Sequence, residues 1–412
     1  MSGDCEIREQ AVLHRAEWLV PVCTAPVRNG ALLALDGRIV CSGAFEHVKR
    51  QSPPGTHVID HGQAALLPAL VNAHTHLELS GLKGRIPFPQ PGFRAWLGKL
   101  FEQRAQVAET LAADSLRLGE EELRSGATGL CGDITNGGRA ARSGVTRVER
   151  RIFLELLGFN LPSIRAAMPE GAVLDALEAV PTPHSVYSVS SHIIAECKRW
   201  TRTHGLPFTM HVAEHPEEIE FLKDGTGFCR ELLERLERWD PAWKPPGKTP
   251  VGYLESLGAL DDDTLLVHAV HMSESDWALA AKRRCTVVFC PRSNRNAGAG
   301  RPGIEKALCA GVRSCLATDS LASNSDLDLF AEAGHVLDNY PSIDPRKILE
   351  MITVNPARAL GRAGEFGCLE PGTKAVMLAV AVEPEASESG LSGAIIESGR
   401  KGAWKWVSHQ PG

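Results

Sequence analysis

The hydrophobic and polar positions of this chain fall into three regimes. Between residues 8 and 67 the apolar runs are short and interrupted by turn residues. Trp18-Leu19-Val20-Pro21-Val22, Ala31-Leu32-Leu33-Ala34-Leu35 and Arg38-Ile39-Val40-Cys41 are the clearest, and Asp36-Gly37 between the last two is a hairpin signal. This region predicts part of a small sheet. From His76 onward, short apolar runs alternate with segments of helical periodicity. The predicted helices cover 93–124, 164–179, 193–204, 216–222, 228–236, 273–283, 304–310, 327–337 and 345–360. The predicted strands centre near residues 66, 129, 153, 182, 210, 267, 288 and 315. After Gly361 the strand pattern returns, at 376–382, 394–397 and 403–407.

Eight strands, mostly with helices between them, are the signature of a (β/α)8 barrel. The expected fold class is therefore α/β: a TIM-type barrel beside a small β-sandwich built from both ends of the chain. The expected boundaries are 1–67 and 363–412 for the two parts of the sandwich and 68–362 for the barrel. There is no internal repeat and no low-complexity segment.

Composition narrows the function classes. Of 412 residues, 43% are hydrophobic and 23% charged, which is ordinary for a globular protein. A net charge of −6 without a long basic run argues against a nucleic acid or an anionic membrane surface as partner. Residues 1–10 are polar, with no signal-sequence pattern, and no apolar run reaches the ~20 residues of a membrane span. The eleven cysteines are scattered and contain no Cys-x-x-Cys pair. They point to a reducing cytoplasm and not to a disulfide framework.

Barrel active sites lie at the C-terminal ends of the strands. The first strand ends in His74-Thr75-His76, whose two imidazoles are two residues apart and so share one face. The fourth carries His184, the fifth His211 and Glu214, the sixth His268 and the eighth Asp319. This is a set that can offer nitrogen and carboxylate ligands to a divalent metal. His211-Val212-Ala213-Glu214-His215 also spells the inverted zinc-peptidase motif. That reading requires a helix, and Pro207, Pro216 and the β-forming Phe208, Thr209 and Val212 argue for a strand.

With His74-Thr75-His76, His211, Glu214, His268 and Thr318-Asp319-Ser320 in place, the chain resembles the amidohydrolase superfamily, in its cytosine-deaminase-like branch. Cys290-Pro291-Arg292-Ser293-Asn294 and Thr353-Val354-Asn355-Pro356-Ala357-Arg358-Ala359-Leu360 extend the resemblance over nearly the whole chain. One departure is Gly372-Thr373-Lys374-Ala375-Val376, where the family usually carries an acidic residue. The resemblance implies that His74, His76, His211 and Asp319 bind one divalent ion, which lowers the pKa of a water from 15.7 towards ~7. Zinc suits this ligand set best, with iron(II) as the alternative. The stretch Pro183-His184-Ser185-Val186-Tyr187-Ser188 lacks the lysine that bridges two metals in binuclear members. The resemblance also makes Glu214 the proton shuttle, lets His268 orient the attacking water, and has Asp319 accept its proton. Whether His268 is itself a ligand stays open.

Within the branch the chain is most similar to aminodeoxyfutalosine deaminases and to methylthioadenosine/S-adenosylhomocysteine deaminases. Leu82-Lys83-Gly84-Arg85 leans to the former, and with it to menaquinone synthesis. Glu78 and His184 are candidate contacts to the ribose or a polar tail of a small-molecule substrate. Ser293 and Asn294 are expected to shape the loop after the seventh strand. The alternatives are another aminopurine deaminase, a chlorohydrolase or amide-cleaving enzyme on the same site, and a catalytically inactive ligand-binding barrel. The oligomeric state is left open, a homodimer included.

Overall fold

The computed structural model describes residues 11–106, 112–136, 147–168, 179–384 and 387–407. The N-terminal region supplies β1 (Val12–Leu19), β2 (Val27–Leu35), β3 (Arg38–Ala44), β4 (His57–Asp60) and β5 (Ala64–Pro68). Then come the eight strands β6 (Leu70–Thr75), β7 (Thr128–Thr135), β8 (Glu149–Leu156), β9 (Val180–Pro183), β10 (Phe208–Val212), β11 (Thr264–His268), β12 (Thr286–Phe289) and β13 (Arg313–Leu316). The chain closes with β14 (Met377–Ala381) and β15 (Trp404–Trp406).

Strands β6 to β9 form one four-stranded parallel sheet and β10 to β13 a second. Two parallel bridges join them. Thr75 pairs with Asp319 at one seam and Ser185 with His211 at the other. At these seams the Asp319 amide donates to the His74 carbonyl (3.2 Å) and the His211 amide to the His184 carbonyl (3.0 Å). The result is a closed ring of eight parallel strands.

The ring is buried on both faces, as parallel strands are, and neighbouring residues alternate between two apolar clusters. Val71, Phe153, Val267, Val288 and Cys315 belong to the cluster that fills the ring, together with Leu360 and Phe366. Their neighbours Leu70, Leu154, Leu266, Val287 and Leu316 belong to the cluster beneath the surrounding helices.

Strands β1 to β5, β14 and β15 make one seven-stranded sheet from both ends of the chain. β1 is its pivot: residues 12–15 pair with β4 and residues 18–19 with β5. The sheet curls around its own core, because Leu32 and Ile39 share a cluster with Leu66, Met377 and Val407.

Three expectations need correction. The strand near residue 66 belongs to this sheet, paired with β1 and β14, and the barrel's first strand is the separate β6. The single apolar run from residue 64 to 71 hides the break at Ala69, whose amide bonds the Val376 carbonyl. Residues 394–397 lie in the helix Leu391–Arg400, where Leu391, Ile395, Ile396 and Gly399 form one buried face. The predicted helix 345–360 is two helices, Pro345–Met351 and Val354–Ala359, and Phe45–Gln51 is a helix not foreseen. Of the helix expected over 164–179, Ile164–Ala167 is present, and residues 169–178 lie outside the described residues.

Candidate active site and metal centre

The site is assembled where five strand ends meet. On β10, Phe208, Met210 and Val212 point to the helix layer, so His211 faces into the barrel. On β6 a register irregularity between Asn72 and Thr75 brings both His74 and His76 to the mouth. Asn72 pins this segment to the other sheet: its Nδ2 donates to Thr318 Oγ1 (2.7 Å). Three strand ends adopt left-handed backbone, at Ala213 (φ 52°), His268 (φ 74°) and Asp319 (φ 58°). Such conformations in non-glycine residues cost about 1–3 kcal/mol each and persist where the surroundings enforce them. The turn at His268 matters directly. Val267 faces the barrel interior, so simple alternation would send His268 outward.

Four groups converge. His74 Nε2 lies 3.1 Å from His76 Nε2 and 3.2 Å from His211 Nε2. Asp319 Oδ1 is 3.6 Å from His76 Nε2 and 3.8 Å from His74 Nε2. Neighbours set the state of each. His211 Nδ1 donates to the His184 carbonyl (3.0 Å), which leaves a lone pair on Nε2. Ser293 and Ser323 each donate a hydroxyl to Asp319 Oδ2 at 2.7 Å, which leaves Oδ1 facing the imidazoles. Burial, and then the neighbouring imidazoles, hold His74 well below the ordinary histidine range. Burial and His184 do the same for His211 against the opposing pull of Glu155.

These residues suit a metal ion on their own chemistry. His74 gives neither ring nitrogen to a carbonyl or carboxylate within hydrogen-bond distance: Nδ1 is buried without a hydrogen-bond partner and Nε2 faces the Nε2 atoms of His76 and His211. Leaving a buried polar ring unpaired is unfavourable. A divalent cation among three imidazole lone pairs and a carboxylate removes that cost, and this donor set is one zinc accepts.

Glu214 and His268 stand beside this cluster, with Glu214 Oε1 3.5 Å from His268 Nε2. Burial pushes the Glu214 carboxyl well above the usual range, and Asp319 and Glu218 push it further. It therefore holds its proton to higher pH than a free carboxyl. Burial and the nearby His76 lower His268 to about 3. Asn294 Nδ2 lies 3.0 Å from His268 Nδ1, so Ser293 and Asn294 do more than shape a loop: they hold Asp319 and His268.

The cluster opens into a cavity of about 440 Å³. Leu97, Leu100, Phe101, Leu232 and Leu236 give it an apolar wall, and Arg104 and Arg238 are its cations. Arg238 is half-buried and makes no ion pair among the described residues. His184 lines the cavity, oriented by Ser188 Oγ at 2.7 Å from its Nδ1. Glu78 is placed differently. Its Oε2 accepts from Thr135 Oγ1 (2.8 Å) and the Asn136 amide (3.0 Å), and Arg104 lies 3.4 Å from Oε1. Arg104 and Asn136 line the cavity with Glu78 behind them.

The peptidase alternative fails on geometry. β10 ends at Val212 and the next helix, Pro216–Asp224, begins after His215, so His211 and His215 share no helix. His215 instead stacks on Phe93 at 4.1 Å. Sequence reasoning missed Asn72, Ser323, Glu218 and Arg238. The first three act through other residues, and the signal for Arg238, a lone arginine after a helix, is indistinguishable from a surface charge.

Residues 65–402 match the amidohydrolase family. The chain belongs to the amidohydrolase family. This amidohydrolase is an enzyme, a hydrolase acting on carbon–nitrogen bonds other than peptide bonds. It is 30% identical over 379 residues to a 5-methylthioadenosine/S-adenosylhomocysteine deaminase of Nitratidesulfovibrio vulgaris, covering 86% of this chain and 79% of that protein. It is 27% identical over 359 residues to the aminodeoxyfutalosine deaminase of Deinococcus radiodurans, covering 82% of each. Among solved structures it is similar to Helicobacter pylori aminofutalosine deaminase in complex with methylthio-coformycin. The TM-score is 0.81 at 21% identity, covering 94% of this chain and 96% of that one. An adenosine deaminase from Xanthomonas campestris with bound zinc gives 0.75 at 22%, covering 93% and 89%. At these identities the structural likeness speaks for the fold. Among the described residues, no helix is long and apolar enough to cross a membrane.

Proposed function

We propose that this amidohydrolase is a metal-dependent deaminase that replaces the exocyclic amine of an adenine nucleoside by oxygen. The observation that carries the reading is the buried Glu214 carboxyl, 3.5 Å from His268 Nε2, at the rim of the cluster of His74, His76, His211 and Asp319. Those four residues would hold one divalent ion, zinc or iron(II). When bound, the ion supplies Lewis-acid chemistry, lowering the pKa of a water towards ~7.

The remaining steps belong to the protein. Glu214 gives its proton to the ring nitrogen next to the reacting carbon, so the ring can accept electron density as oxygen adds. His268 Nε2 orients the attacking water. Asp319 takes one proton from the water and passes it to the amine, which leaves as ammonia, and the remaining hydroxyl proton returns to Glu214 as the carbonyl forms. Water and the aminopurine are consumed, and ammonia and the oxopurine are produced. His184 is the candidate contact to the purine or ribose. Glu78 supports it indirectly, by fixing Asn136 and Arg104 in the cavity wall.

Relatives named for methylthioadenosine/S-adenosylhomocysteine and for aminodeoxyfutalosine deamination support the nucleoside class. The unpaired Arg238 and the apolar wall favour a 5′ tail that is apolar along its length and ends in an anion. That favours aminodeoxyfutalosine, and with it a place in menaquinone synthesis, over methylthioadenosine, whose tail is uncharged. S-adenosylhomocysteine also carries a carboxylate and is the second reading. The enzyme is read as cytoplasmic, in keeping with its free thiols.

The test is ammonia release, and the ultraviolet change from aminopurine to oxopurine, across adenosine, methylthioadenosine, S-adenosylhomocysteine and aminodeoxyfutalosine with metal-loaded protein. Turnover fastest on aminodeoxyfutalosine is expected. No ammonia from any of the four would overturn the reading.

A further inference from the structure

The chain has to turn from β10 into the helix Pro216–Asp224 within three residues, Ala213, Glu214 and His215. Ala213 does so in the left-handed region, at φ 52°. An alanine held there costs about 1–2 kcal/mol, so something must hold it. That something is a buried carboxylate reaching back from the first turn of the helix. Glu218 Oε1 accepts the Ala213 amide at 3.0 Å, and Glu218 Oε2 accepts the Glu214 amide at 3.1 Å. The other side of the peptide is tied as well, with the His271 amide donating to the Ala213 carbonyl at 2.8 Å.

Glu218 has no exposed surface and no cationic partner among the described residues. The two amides and the N-terminus of its own nine-residue helix are what meet its charge. Hydrogen-bond arithmetic explains the residue type. Two converging N–H donors need two acceptor oxygens. A carboxylate has both, whereas an amide side chain has one and would point its NH2 at the second donor.

We propose that Glu218 is a positioning residue whose two oxygens fix the backbone of Ala213 and Glu214, and so aim the Glu214 carboxyl at the reacting ring. This rests on Glu214 being the proton carrier. A residue that merely capped the helix would affect stability and leave turnover per folded molecule alone.

The test uses purified metal-loaded enzyme with Glu218→Gln, and with Glu218→Asp, which keeps both oxygens one methylene short, in case the first variant does not fold. Glu214→Gln is measured alongside. Misplacing a catalytic group by about 1 Å costs about 10²-fold, so kcat should fall by that order in Glu218→Gln while KM stays within about twofold. Metal content by elemental analysis should match wild type, and affinity for methylthio-coformycin should drop in step with kcat. If either folded Glu218 variant keeps kcat and inhibitor affinity within about twofold while Glu214→Gln is inactive, the positioning role is overturned and the proton carrier stands. Turnover retained by Glu214→Gln removes the proton carrier itself, and the role of Glu218 with it.

Discussion

Glu214 Oε1 sits 3.5 Å from His268 Nε2, and both side chains line the cavity onto which the imidazole cluster opens. One is a carboxyl whose hold on its proton burial strengthens, the other an imidazole that burial keeps neutral. A proton donor and a neutral hydrogen-bonding base side by side are what a hydrolytic deamination needs. Replacing Glu214 by Gln keeps the shape and removes the transferable proton. Turnover should fall by about 10²–10⁴-fold, with metal content and fold retained. Single-turnover ammonia release together with elemental analysis checks both halves.

Activity should depend on pH through the same residue. The active form of Glu214 carries the proton, so the rate should decline as pH rises through its raised pKa. Stability follows the same sign. Glu214 and Glu332 (about 7) have folded values above the ordinary 4.5. The folded state therefore binds more protons than the unfolded one, and stability is lost as pH rises through those folded values. The lowered histidines act oppositely, but only below their ordinary 6.5, where stability is lost as pH falls. Above pH 6.5 the histidine contribution has faded while these glutamates are still losing protons, so the melting temperature of metal-free protein should fall as pH rises from 6.5 through about 7. A flat or rising profile there would contradict the burial of these carboxyls.

Metal and fold should be linked. At a free-ion concentration about 100-fold above Kd, the bound ion stabilises by about 2.7 kcal/mol, and chelation should lower the melting temperature accordingly. His74→Ala should show no bound metal at micromolar ion. Ser293→Ala leaves the ligand atoms in place but loosens Asp319 Oδ2, and should weaken metal affinity by about 10-fold or more. Equilibrium dialysis separates the two cases.

Arg238 should discriminate between substrate tails. Arg238→Ala should raise KM by about tenfold for a substrate with a carboxylate-ended tail, the contribution of one charge-assisted contact, and leave adenosine unaffected. Equal effects on both would remove it from tail recognition.

The strand ends were legible because chemistry and periodicity coincide there. An imidazole or carboxylate that follows an apolar strand stands out, and the seven such side chains, His184 included, do come together. What stayed hidden had weaker local signals. The break at Ala69 lies inside one continuous apolar run, so periodicity alone joins a sheet strand to a barrel strand. The helix Leu391–Arg400 has its buried face spread over nine residues, and only the adjacent Ile395 and Ile396 stand out as a strand-like pair. Ser323, Asn72 and Glu218 have meaning only through partners that the fold delivers. Glu78 shows the converse: a carboxylate next to the histidines in sequence, yet turned towards Thr135 and Asn136.

The two seams of the barrel have a mechanical meaning. The ring is two sets of staves, and each joint rests on a bridge beside the site, Thr75 with Asp319 and Ser185 with His211. His74 and His76 come from one set, His211 and Asp319 from the other, so the chemistry sits astride the joints. Parting either joint by a fraction of an ångström dismantles the site while every helix and every four-stranded sheet is still intact. In rising urea, turnover should therefore vanish before the far-ultraviolet circular dichroism changes, and added metal should bring the two transitions together.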